Sequence, residues 1–264
     1  MEIYRDYAAI YAAIGQGAFA EALVGRILAA LPTPPRRALD LACGTGAAAL
    51  ALARAGAEVV GVDRSPAMLD IAYARARDHR LPVPFIKADI RHLPIGRAVR
   101  QAAEAAVSPV TLHPASFDLI TGLYDSLNYL TGDRDLELAL TGAARLLAPS
   151  GRLIFDLNTE HEFAVWDDSD QVVHDDGGIL VYNRLSYDHS TRLAHGRIVW
   201  FVRDRERWWR GEETHRERAW HDAEVLDALG AAGLTLVARH TPRWEAAPPD
   251  APRLVYEATR SSTA

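Results

Sequence analysis

A single cysteine, Cys43, stands in a chain of 264 residues, so no intrachain disulfide and no cysteine-based zinc cluster can form. A reducing cytoplasm fits best. The ten histidines show no H-x-x-x-H spacing, and the run His174–Asp176 reads as a solvated loop, so no metal is expected. Basic residues are not in excess: the formal charge is −6, which argues against the electrostatic footprint of a nucleic-acid binder. The longest uncharged apolar stretch, Leu41–Ala53, has 13 residues and two glycines, short of the ~18 that suggest a membrane span. Glu2, Arg5 and Asp6 interrupt the opening segment where a secretory signal needs an unbroken apolar block, so no export is implied.

What is present is a large apolar fraction, 49%, ample for one domain with a sizeable insertion. Phe19, Leu23, Ile27, Leu28 and Leu31 recur at helical spacing until the prolines at 32, 34 and 35. Tyr4, Tyr7 and Tyr11 suggest a shorter aromatic-faced helix before them. From Arg36 short apolar runs alternate with helical stretches. The pattern predicts a parallel sheet covered on both faces, with helix-compatible sequence at Arg97–Val107 and a fifth strand in Gly151–Asn158. Beyond Asn158 come strand-like runs rich in Val, Ile, Trp and Tyr, read as an antiparallel insertion over 160–220. Trp208 and Trp209 are adjacent there, so at most one faces inward, packing against core or subunit. The expected organisation is N-terminal helices over 1–35, a Rossmann-like α/β domain over 36–159 and 221–264, and the β insertion as a cap or oligomer contact.

The chemistry begins at "LDLACGTG". Gly44 and Gly46 permit tight backbone angles and close approach of a ligand, and the helix that follows offers unpaired N–H groups. Gly44, Gly46 and Ala49 also satisfy the looser dinucleotide pattern, so the glycines alone choose no cofactor. Asp40 argues against NAD, because a carboxylate four residues before the first glycine suits an ammonium better than a pyrophosphate. Asp63 ends the second strand where an acid can hold a ribose diol, and Asp89 ends the third, suited to an adenine amine. Three acids at successive strand ends favour a cationic, adenosine-containing ligand. The competing reading of each alone is a turn former or cap, a part for which Ser65 before Pro66 is also suited. Cys43, within the turn, reads as a packing residue.

"LDLACGTG", "VVGVDRSPAML", "FIKADIRHLP", "FDLITGLYDSLNYL" and "LLAPSGRLIFDLN" together resemble the ordered motifs of class I S-adenosylmethionine-dependent methyltransferases. The resemblance implies a seven-stranded, mostly parallel sheet whose antiparallel last strand is Ala251–Arg260. It implies that Asp40, Ala42 and Gly44 line the methionine part of the cofactor, with Gly46 permitting the turn. Asp63 would hold the ribose, Arg64 and Met68 flank the adenine, Asp89 bind its amine beside Ile90, and Leu123 lie on the cofactor. The long connection before Phe117 departs from many relatives. The insertion resembles that of amino-sugar N-methyltransferases and glycine N-methyltransferase-like enzymes, implying transfer to N or O of a small molecule and a possible homodimer through the insertion. Polar groups at the fourth strand end and cap then become candidates for orienting or deprotonating the acceptor: Tyr124, Asp125, Asn128 and Tyr129, with Tyr11 and His215. Competing readings are an NAD-dependent oxidoreductase, an RNA methyltransferase, disfavoured by the acidic balance, and a non-catalytic S-adenosylmethionine-binding protein.

Overall fold

The computed structural model describes residues 3–101, 108–166, 169–248 and 250–261. Two helices lead the chain, α1 (Ala8–Ala13) and α2 (Ala18–Ala30), the second ending where the prolines follow Leu31. Tyr4 and Tyr7 precede α1 rather than belonging to it.

Alternation then sets in: β1 (Arg37–Leu41), α3 (Ala47–Arg54), β2 (Glu58–Asp63), α4 (Pro66–Asp78) and β3 (Phe85–Lys87). Ser65 caps α4, its Oγ accepting the Met68 N–H (3.4 Å) ahead of Pro66 at the first turn. The segment expected to be helical begins instead as β4 (Ala98–Val99), paired antiparallel with β5 (Val110–Thr111); residues 102–107 lie outside the described residues. There follow β6 (Phe117–Gly122), α5 (Asp135–Leu146), β7 (Leu147–Asn158) and α6 (Glu160–Ala164). Four antiparallel strands come next, β8 (Ser169–Asp175), β9 (Ile179–Asp188), β10 (Leu193–Asp204) and β11 (Arg207–Arg218). The chain closes with α7 (Asp222–Ala231), β12 (Leu234–His240) and β13 (Arg253–Arg260).

Seven strands form one sheet in the order β12-β13-β7-β6-β1-β2-β3, parallel except where β13 pairs with its neighbours. Alternate side chains of a strand face opposite sides, and the core divides accordingly. Leu39 and Ile120 pack with Leu136, Leu140, Val225 and Leu229 from α5 and α7. Ala38 and Leu119 pack with Leu23, Ile27, Leu50 and Leu69 from α2, α3 and α4. The helices thus cover both faces and leave the carboxyl ends of β1, β2, β3 and β6 free to build a site.

The second sheet, β11-β10-β9-β8, packs Val181, Ile198 and Trp200 against Tyr7. At the far end of its β10–β11 hairpin both Trp208 and Trp209 are exposed, so neither packs in the core of this chain. No helix among the described residues is long and apolar enough to cross a membrane.

Candidate active site

The chain leaves β1 through Ala42 and Gly44, both at positive φ (52° each), and enters α3 through Gly46 (φ 76°). A Cβ added at Gly44 would meet nothing within 4 Å; it would project into the cleft that Gly44 lines. At Gly46 a Cβ would press on Ala72 and Phe85 (3.2 Å each), so this glycine shapes the turn from behind and does not line the cleft. The cleft has two chemically distinct halves.

One half is acidic. Asp40 is buried, its Oδ1 accepting the Thr121 hydroxyl (2.8 Å) and its Oδ2 the Ala49 N–H (3.1 Å). Burial pushes its carboxyl up to about 7 despite those two hydrogen bonds, with Asp63 adding to the rise. Asp63 accepts the N–H groups of Gly44 and Ser65 (2.8 Å each), and burial raises it as well. Asp89 differs. Arg91 grips it through Nε (2.9 Å) and Nη2 (2.5 Å), holding it below the ordinary carboxylate range, while Nη1 reaches Asp135 (3.0 Å). Ala42, Arg64, Met68, Ile90 and Leu123 complete this half.

The other half is phenolic: Tyr4, Tyr11, Tyr124 and Tyr129 line it, with Ser126. It is built on a strained turn, since Tyr124 and Asp125 follow one another at φ 64° and 51°. Asp156, on β7, accepts both their N–H groups (2.7 and 3.0 Å). Arg253, on β13, pairs with Asp125 (2.7 Å) and Asp156 (2.5 Å) and lies over the rings of Phe19 and Tyr124.

This corrects two expectations from the sequence. The Asp125 carboxylate is paired with Arg253 and does not line the cleft. Asn128 is fully buried, Nδ2 donating to the carbonyls of Asn158 (3.0 Å) and Arg218 (2.8 Å) and Oδ1 accepting the Asn158 N–H (2.9 Å). It stitches the turn to β7 and β11 rather than facing a ligand. His215 also stands behind the lining, its Nδ1 2.8 Å from the Tyr129 hydroxyl. Tyr11 and Tyr124 are on the cleft wall.

Sequence reasoning passed over Thr121, Arg91, Ser126, Glu213 and Glu217. Thr121 and Arg91 act through Asp40 and Asp89, so their roles depend on partners. Glu213, His215 and Glu217 are buried on one face of β11 while Glu212, Thr214 and Arg216 are exposed. The period-2 pattern in "ETHRE" was the available signal.

The donor set fits S-adenosylmethionine. A buried carboxyl kept near neutrality invites an ammonium, an acid fixed on two backbone N–H groups retains lone pairs for hydroxyls, and the missing Cβ at Gly44 leaves space. The Ser126 hydroxyl is buried against the cleft without a hydrogen-bond partner among the described residues, the state expected where a ligand completes the site.

A family model described as a methyltransferase domain matches residues 38–151. YqeM of Bacillus subtilis (strain 168), whose name gives a methyltransferase and no acceptor, is 29% identical over 99% of this chain and 98% of its own. An S-adenosylmethionine-dependent methyltransferase from Clostridium acetobutylicum ATCC 824 has TM-score 0.78 at 25% identity, covering 99% of this chain and 100% of that one. CalS10 from Micromonospora echinaspora, an amino pentose methyltransferase determined with S-adenosylmethionine bound, shares the fold at TM-score 0.70 and 24% identity, covering 99% of each chain.

Proposed function

From the premise that the chain is a class I S-adenosylmethionine-dependent methyltransferase, we propose that it methylates N or O of a small molecule held among the tyrosines. One observation carries this reading: the acidic and phenolic residues line a single cleft, with Leu123 and Tyr124 adjacent on its wall. When bound, S-adenosylmethionine supplies an electrophilic methyl carbon on a sulfonium. Asp40 takes its ammonium, Asp63 its ribose hydroxyls, and Met68 and Ile90 give apolar cover to its adenine, with Asp89 and Arg91 at that end. Tyr11 and Tyr124 wall the acceptor's side, excluding water and holding the nucleophile in line, which can supply much of the acceleration. Asp125 and Asn128 serve by fixing the turn that carries Tyr124 and Tyr129.

The test is transfer of tritiated methyl to benzylamine, tyramine, catechol, benzoate and an RNA oligonucleotide. Label in one of the small molecules is the expected result. Label in RNA alone would replace this reading, and inactivity throughout despite cofactor binding would favour a non-catalytic binder.

Cofactor binding is also expected to depend on pH. Burial raises the Asp40 carboxyl to about 7, and it must lose its proton to pair with an ammonium. Affinity for S-adenosylhomocysteine should therefore fall up to about tenfold per unit as pH drops below 7 and level off above it. Calorimetry across pH 5.5–8.5 would show this, and Asp40→Asn should flatten the profile at weak affinity.

A further inference from the structure

Four side chains form one hydrogen-bonded line from the cleft into the interior. The Tyr4 and Tyr129 hydroxyls are 2.9 Å apart, Tyr129 is 2.8 Å from His215 Nδ1, and His215 Nε2 is 3.3 Å from Glu213 Oε2. Glu213 also accepts the backbone N–H groups of Tyr4, Asp6 and Tyr7 (2.8, 2.8 and 3.0 Å). The His215 and Glu213 side chains are 3% and 6% exposed, so water does not compete for them.

With His215 neutral, one proton arrangement satisfies every member. Burial works against ionised Glu213, but the bonds from His215 and the three N–H groups prevail and bring its pKa down to about 2. A carboxylate only accepts, so Nε2 carries the hydrogen and a neutral ring leaves Nδ1 bare. Tyr129 then donates to Nδ1 and accepts from Tyr4, whose oxygen keeps its lone pairs for the cleft. Burial holds both phenols well above their ordinary pKa, so they pass a proton on without storing charge. The groups facing His215 are Glu213 on its own strand, Tyr129 from the turn after β6, and Tyr4 and Tyr7 ahead of α1, with Glu217 buried on the same face of β11 and acting on Tyr4 and Tyr129.

Building on the methyltransferase reading above, we propose that Tyr4, Tyr129 and His215 are the route by which the acceptor's proton leaves, with Glu213 as its anchor. As the acceptor's nucleophilic atom bonds to the methyl carbon, the C–S electron pair stays on sulfur and the acceptor's N–H or O–H bond breaks. That proton passes to Tyr4 Oη, the Tyr4 proton to Tyr129, and the Tyr129 proton to His215 Nδ1. The resulting imidazolium rests on the Glu213 carboxylate and returns its proton to solvent after product leaves. Tyr4 is the catalytic residue; Tyr129, His215 and Glu213 are positioning residues behind it.

Nitrogen-15 spectra of histidine-labelled protein saturated with S-adenosylhomocysteine test the arrangement without an acceptor. Wild type should show His215 as the Nε2–H tautomer with a hydrogen-bonded Nδ1, and Tyr129→Phe should abolish the hydrogen-bond shift at Nδ1. An Nδ1–H tautomer overturns the proposal, and that wild-type result decides even if the variant does not fold. With whichever panel compound is methylated, Tyr4→Phe should lower kcat about 100-fold while leaving the KM for S-adenosylmethionine unchanged; an unaltered kcat overturns the proposal. Absence of S-adenosylhomocysteine binding in the wild type would instead tell against the cofactor reading, independently of the tautomer.

Discussion

Arg253→Met is expected to destabilise the protein by about 3–5 kcal/mol, the usual consequence of leaving buried charges without their partner. The guanidinium serves two carboxylates, Asp125 at 2.7 Å and the fully buried Asp156 at 2.5 Å, and lies beside the stacked rings of Phe19 and Tyr124. Removing it puts two uncompensated acids side by side beneath a turn whose Tyr124 and Asp125 already sit at positive φ. For a chain of this size the loss corresponds to a fall in Tm of roughly 6–20 °C, readable by calorimetry. The double variant Arg253→Met/Asp156→Asn should recover part of it, because one orphaned charge goes with the arginine. If Arg253→Met cost no more than about 1 kcal/mol, the ordinary size for an exposed pair, the turn would not depend on this network.

Asp63→Ala should weaken S-adenosylhomocysteine about 100-fold, with little change in the protein's own fold. Two charge-assisted hydrogen bonds to a ribose diol are worth about 3 kcal/mol together, and each 1.4 kcal/mol is a factor of ten. The substitution also strips the Gly44 N–H of its acceptor, loosening the turn from which Gly44 faces the ligand. Ligand-induced thermal shift would show the effect as lost protection at concentrations that protect the wild type. Asp78→Ala is the control, since that acid is exposed at the end of α4 and, among the described residues, pairs with Arg77.

These two expectations differ in how far they could be seen from the sequence. Asp63 was legible because an apolar run that ends in an acid, following another such run, places a carboxylate at a strand end. The parallel sheet was legible for the same reason, and its reversed last strand through the family resemblance. Asp125 was misread. "YDSLN" looks like an array of groups facing a substrate, and nothing nearby in the chain reveals that Asp125 pairs with an arginine 128 positions away or that Asn128 is used up on the backbone of Asn158 and Arg218. Long-range partners decide which way such side chains turn. Glu213 was hidden otherwise: among the alternating charges of the hairpin it resembled solvated surface, and only the burial of every second residue along β11 separates it from Glu212. Near Arg97 composition favours helix, yet Ala98 and Val99 find strand partners in Val110 and Thr111; residues 102–107 of that expectation lie outside the described residues.

Glu213 ties down Tyr4, Asp6 and Tyr7 with the same carboxylate that supports His215. The leading segment cannot lift away without unloading the imidazole's counter-charge and withdrawing the phenol of Tyr4 from the row. Built this way, the opening segment and the second sheet hold one another: loosening either deprives the other of its hydrogen-bond partner.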